Sequence, residues 1–373
     1  MRKPLVATLL FSIVLAAHAC STPPSGSESD ASTAESPDAA DAASGAQDGA
    51  LPATDAQPSP ADAAEPGTDA SPLAADAGAL PDAAGSSPDT GAGSVDAGAG
   101  DFTPETSNTA EYLMQVWGSS GSDVWAVGWH GAVLHRAAGA WTKVTVASTS
   151  TLLDVWGTGA EDFWISGMGS TLLHRQSGAF TSVSYPGGDT LYGLYGFASN
   201  DVWAAGLGGA LLHWNGTDWQ TVNSGTTKWL WSIWGSSTSD FWVVGNDAAV
   251  LHVVDGTSTL VDVSGVTTSS LKGVWGTSPN DVWAVGANGT ILHYDGVAWA
   301  QTPSPVTSTL HQVWGTGTSN AWIVGLGGVV LHWDGAAWSP WTSGTPNSLW
   351  GVWGTGPDDF WMVGEKGTIL HKP

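Results

Sequence analysis

The sequence predicts an all-β fold, a seven-bladed β-propeller of four-stranded antiparallel blades. Three observations predict it. One unit recurs seven times at spacings of 39 or 41 residues, and each unit holds short apolar runs separated by turn signals. The last copy stops before its fourth run, while a spare run stands ahead of the first copy. A fixed period near 40 residues signals a propeller or a solenoid. No window has the 3.6-residue period that a helical solenoid requires.

Residues 271–299, LKGVWGTSPNDVWAVGANGTILHYDGVAW, display the unit. With Trp275 as position zero, Leu falls at −4, Gly at +1, Asp at +6, Trp at +8, Gly at +11, Leu at +17 and His at +18. The frame repeats at Trp117, Trp156, Tyr195, Trp234, Trp314 and Trp353. Strands are expected over 271–276, 281–285, 290–294 and from Trp299, since Val, Ile and Trp favour strands. Asp295-Gly296 is a hairpin signal, because both residues tolerate positive φ. The runs are apolar on both faces, so each sheet is covered on both sides, as in blades packed radially. Outer-strand aromatics stand fifteen residues before the next zero position: Trp141, Phe180, Trp219, Trp299 and Trp338, with Leu260 in the fourth unit. The same count back from Trp117 reaches Phe102, so an N-terminal outer strand is expected to complete the seventh blade.

Ahead of the folded domain, 101–373, two segments are expected. Residues 1–19 read as a signal peptide: Arg2-Lys3, an apolar stretch from Leu5 to Ala17, then Ala17-His18-Ala19 before Cys20. The stretch is too short for an ordinary membrane span. Cys20 is the single cysteine. Its place after the cleavage site resembles a bacterial lipoprotein signal, which implies lipidation of Cys20; ordinary cleavage at the same bond is the alternative. One cysteine allows no intrachain disulfide. Residues 20–100 form an acidic Ala/Asp/Pro/Ser/Gly-rich tether, with no aromatic residue, Lys or Arg. Such a composition cannot bury enough apolar surface to fold and is expected to be disordered. Asp recurs every seven residues from Asp41 to Asp76. One carboxylate in seven is sparse for calcium, which takes six to eight oxygens.

Of 34 acidic residues 20 lie in the domain, against 7 basic ones. That leaves no basic footprint for nucleic acid. The 24 tryptophans include thirteen at positions zero and +8, which read as blade-to-blade packing. Seven histidines, His135, His174, His213, His252, His293, His332 and His371, stand one per blade and cannot converge on a metal away from the axis. If the hairpin sets +7 opposite +18, each approaches the acceptor at +6: Asp123, Asp162, Asp201, Asp240, Asp281 and Asp359, with Asn320 in the sixth unit. These are read as structural His–Asp pairs, in which buried polar groups satisfy one another. No cofactor and no metal are expected.

The quoted repeat is similar to those of secreted bacterial propellers, notably surface lipoproteins of myxobacteria. ILHYDGVAW resembles a shortened Asp-box, the structural turn of sialidase-type and photosystem-assembly-factor propellers. DVWAVGANGTILHYDGVAW resembles tectonin repeats, whose members include lectins for bacterial surface glycans. The resemblance spans 101–373 and implies the fold; it does not fix an activity.

Enzyme signatures are missing. A sialidase-like site needs an arginine cluster, yet the domain holds only Arg136 and Arg175. No nucleophile elbow, phosphate loop or zinc pattern occurs. Antiparallel pairing puts the start of the first strand and the turn after the second on one rim of the ring. There the repeat varies: −3 carries Tyr192, Trp231, His311 and Trp350, and +12/+13 carry Trp129-His130 and Asn246-Asp247, with Trp229 nearby. Aromatics interspersed with polar groups suit a sugar or peptide ligand. Packing against neighbouring loops is the alternative for each. The expectation is a monomeric, exported, lipid-anchored binding module that takes a surface glycan or an envelope protein.

Overall fold

The computed structural model describes residues 101–373. The signal peptide, Cys20 and the acidic tether lie outside the described residues. Seven four-stranded antiparallel sheets follow one another along the chain; six are simple meanders, and the seventh takes its outer strand from Thr103–Pro104. In the fifth unit the strands are Leu271–Ser278, Asp281–Gly286, Ile291–Tyr294 and Trp299–Gln301. The first strands of neighbouring blades contact one another all the way round, including the first with the seventh, so they surround a central channel. The fold is a seven-bladed β-propeller.

The core lies between the blades. Val282, Ala284 and Val285 are fully buried and Trp283 nearly so, because both faces of each second strand meet a sheet. The Trp at +8 of one blade reaches the outer strand of the next: Trp164 meets Trp219, Trp242 meets Trp299 and Trp283 meets Trp338, edge to face with centroids 5.2–5.3 Å apart. Aromatic pairs favour such contacts over face-to-face sandwiches.

Closure follows the same geometry. Thr103–Pro104 pairs with the last strand, Ile369–Lys372, and the Glu105 amide donates to the Ile369 carbonyl at 2.9 Å. Phe102 is buried and meets Trp322 of the sixth blade edge-on at 5.9 Å, as outer-strand tryptophans do elsewhere. The first and last described segments therefore share one blade.

Two sequence readings are corrected. In the fourth unit Leu260 does not take the outer aromatic slot. Ser258 stands there, opposite Val253, while Leu260 pairs with Leu251 and is exposed. The longer loop that follows sends Val263 into the core with Val261 and Val266 beside it. The hairpin register also differs by one: +18 stands opposite +8, as Trp283 does opposite His293, rather than +7. The imidazole then stacks on that indole, with centroids 4.2 Å apart. Asp281, two residues before Trp283, shares its face and is reached along the strand.

Candidate functional site on the rim

The first strand of every unit carries a β-bulge between −4 and −2. Position −3 is the extra residue, freed from the ladder and able to turn its side chain towards the next blade. Tyr192 stacks on Trp231 at 4.2 Å, the Lys272 ammonium lies 3.6 Å from the Trp231 ring centre, and His311 packs on Trp350 at 4.0 Å. These side chains form an arc over units three to seven. Tyr192 and His311 are buried in it, and the other three are half-buried. Burial pushes the Tyr192 hydroxyl up to about 12. Burial, reinforced by the Lys272 charge, holds His311 down to about 3, so it is neutral at physiological pH.

Trp231 packs against Tyr192 and Lys272, and its indole N–H donates to Asn246 Oδ1 at 2.6 Å. Trp229, half-buried as Trp231 is, meets Trp231 edge-on and Tyr192 at 6.3 Å. Its carbonyl accepts the Asn246 amide at 2.8 Å, which fixes the segment to the fourth blade's turn.

That turn is built for display. Asp247 and Ala248 both take positive φ (50° and 56°), a region L-residues rarely occupy. His130 has φ 54° at the matching place in the first unit. Asp247 is exposed; its carbonyl accepts from Lys228 Nζ at 2.8 Å, and its amide donates to Ser270 Oγ at 3.1 Å. Beside the turn opens a cleft of about 410 Å³, lined by Lys228, Asp247, Leu260, Asp262, Ser264 and Thr268 among others. Hydrogen bonds from Ser264 hold Asp262 below the usual carboxylate range.

The other predicted aromatic group does not assemble. Trp350 packs towards His311 of unit six. Trp129 packs on Tyr112 at 4.5 Å, and exposed His130 reaches Glu111 Oε2 through Nδ1 at 2.7 Å. Among the described residues no ring contact joins Trp129 to Trp350. Lys228, Lys272, Glu111 and Tyr112 complete these contacts; Lys272 stands at the varying −3 position, and the others were not among the sequence candidates. Positions −5 and −6 hold three of them, and they lie outside the recurring frame, so no periodic signal marks them.

The histidines each find their own blade's acceptor. Nε2 lies 2.6–3.0 Å from Asp Oδ1 in six units and 2.8 Å from Asn320 Oδ1 in the sixth. Among the described residues no group of three or more His, Cys, Asp or Glu could hold a metal.

No family model and no curated protein matches the chain. Solved structures do. YCF48 bound to D1 peptide is 16% identical with a TM-score of 0.63, covering 73% of this chain and 97% of its own. YCF48 from Cyanidioschyzon merolae is 14% identical with a TM-score of 0.62, covering 73% and 98%. A streptogramin B lyase is 13% identical with a TM-score of 0.65, covering 72% and 96%. At these identities the likeness is one of fold, and the fold serves both a peptide binder and a lyase.

Proposed function

We propose that the chain is an exported, lipid-anchored, non-catalytic binding module of the bacterial cell envelope, with a surface glycan as its ligand. One observation carries the glycan reading. Trp229 stands half-buried next to Lys228, which lines a cleft with Asp247, Asp262 and Thr268. An indole stacks on the C–H face of a sugar, while ammonium, carboxylate and hydroxyl groups take its hydroxyls. Trp229→Ala should abolish retention on a glycan array, with the fold intact, because Trp229 is outside the repeated core. Trp231→Ala tests the arc instead: it should weaken binding through loss of the Asn246 anchor. Full retention by the Trp229 variant would remove Trp229 from the binding face, and silence of the parent chain on the array would remove the glycan reading.

The second reading is an envelope-protein scaffold, favoured by the fold shared with YCF48, whose structure holds a D1 peptide. Under it, the exposed Leu260 and Val254 would meet a peptide, and the array would stay silent. The anchor rests on Arg2-Lys3, the apolar stretch and Cys20. Fatty-acid labelling in cells that disappears in Cys20→Ser supports it; labelling that persists, or that never occurs, refutes it.

A further inference from the structure

A second cleft, of about 290 Å³, opens at the matching place in the third unit. Tyr185, Asp189, Gly208, Asn223 and Thr226 line it among others. Asp189 and Asn223 are exposed, and the Tyr185 hydroxyl is tied to the Asp189 carbonyl. One segment divides this cleft from that of the fourth unit: Thr226 lines the first and Lys228 the second.

The dividing segment is fixed at both ends. Buried Ser224 donates to the Gly209 carbonyl at 2.7 Å, in the turn of unit three, and Thr226 Oγ1 accepts the Lys228 amide at 3.1 Å. A Cβ on Gly209 would stand 2.0 Å from the Thr226 carbonyl oxygen, so turn and segment are in direct contact. Beyond Lys228, the Trp229 carbonyl accepts from Asn246 in the turn of unit four. The clefts thus have a set spacing, with Trp229 at the end of the wall between them. The first offers the Asp189 carboxylate, the Asn223 amide and the Thr226 hydroxyl, and the second the Asp247 and Asp262 carboxylates with the Ser264 and Thr268 hydroxyls beside an apolar wall of Leu260, Val261 and Val263.

We infer that the ligand is an extended, unbranched oligosaccharide that lies across both clefts and over the intervening wall, rather than a single terminal sugar. The inference rests on the glycan reading above. An extended chain engages the second cleft as an intramolecular step, whose gain is set by effective concentration. Rigid walls spare the ordering cost that mobile loops would incur.

The test is an array of gluco-, N-acetylgluco- and manno-oligosaccharides of one to six residues, probed with the full chain and with Asp189→Ala and Thr268→Ala. Asp189→Ala leaves its backbone carbonyl bond to Tyr185 in place. Apparent affinity should rise on the order of tenfold or more from the shortest bound member to the hexamer. Asp189→Ala should erase that gain and leave the shortest member's binding unchanged, while Thr268→Ala should weaken every length. Binding that is independent of length, or a length gain that survives Asp189→Ala, overturns the extended-ligand inference and leaves the glycan reading standing. Silence across all three series overturns both.

Discussion

At the scale of single residues, the histidine at +18 does two jobs in one position. Its ring stacks on the +8 indole, with centroids 3.9–4.3 Å apart, and its Nε2 meets the +6 side chain. Asn320 performs the same service for His332 that Asp281 performs for His293, so the histidine needs an acceptor rather than a charge. Asp281→Ala should therefore cost about 1–3 kcal/mol, by leaving a partly buried imidazole N–H unpaired. Asp281→Asn should cost clearly less. Urea denaturation of the two variants decides the matter; equal losses would mean that the charge itself matters. The pairing was legible in the sequence because Asp and His recur at one spacing in six units. Its register was misplaced by one residue: +7 opposite +18 would turn the histidine to the face away from +6, whereas +8 opposite +18 puts both on one face.

At the scale of elements, the seam inside the seventh blade, between Thr103–Pro104 and Ile369–Lys372, is the part of the ring that covalent continuity does not hold. Glu105 follows the closing strand directly, and its carboxylate accepts from Arg136 Nε and Nη2 at 3.0–3.2 Å and from Trp141 Nε1 at 2.5 Å. His371 Nδ1 lies 3.3 Å from Glu105, and its Nε2 lies 3.0 Å from Asp359. Burial disfavours the Glu105 charge, but its bonds to His371, Arg136 and Trp141 win and hold it down to about 2. Burial likewise opposes a charged His371, and Glu105 and Asp359 outweigh it, so its pKa is raised above 6.5. The signs set a window. The Glu105 contribution is complete above its ordinary 4.5 and is lost as pH falls towards about 2. The His371 contribution is complete below 6.5 and is lost as pH rises through its elevated folded value. Glu105→Gln strands a largely buried guanidinium and should cost about 3 kcal/mol. In thermal melts across pH, its deficit against the parent should be greatest between 4.5 and 6.5. A deficit that ignores pH would place Glu105 outside the seam's electrostatics. The closing strand was readable from one aromatic, Phe102, at the outer-strand offset. Glu105 was not, since no other unit has a counterpart from which to recognise it. The fourth blade's outer strand misled for a related reason: with its aromatic gone, Leu260 fitted the count while Ser258 held the place.

At the scale of the whole molecule, the channel wall sets how closely seven blades can approach. Position −2 faces that channel, and its side chains bridge blades. Asp154 accepts the Leu194 amide at 2.7 Å, Ser232 the Val274 amide at 3.4 Å, and Gln312 the Val352 amide at 2.7 Å. In each case the blade that donates carries glycine at −2: Gly193, Gly273 or Gly351. The reason is space. A Cβ on Gly273 would stand 2.8 Å from the His311 carbonyl oxygen and 2.9 Å from the Gln312 Cα, both of them backbone. Backbone cannot rotate away, so relief requires neighbouring blades to separate, and in a closed ring that displacement is shared round the circle. Gly273→Ala should therefore cost about 1–3 kcal/mol, as overpacking does in a core. At Gly317, the last residue of the sixth unit's first strand, an added Cβ would meet nothing within 4 Å. Gly317→Ala should be neutral or stabilise by about 0.4–1 kcal/mol through the unfolded chain. Guanidinium unfolding monitored by the abundant tryptophans measures both. A Gly273 variant as stable as the Gly317 variant would mean that the ring absorbs a methyl group in its channel wall without strain, and that the glycines at −2 are not what fixes blade spacing.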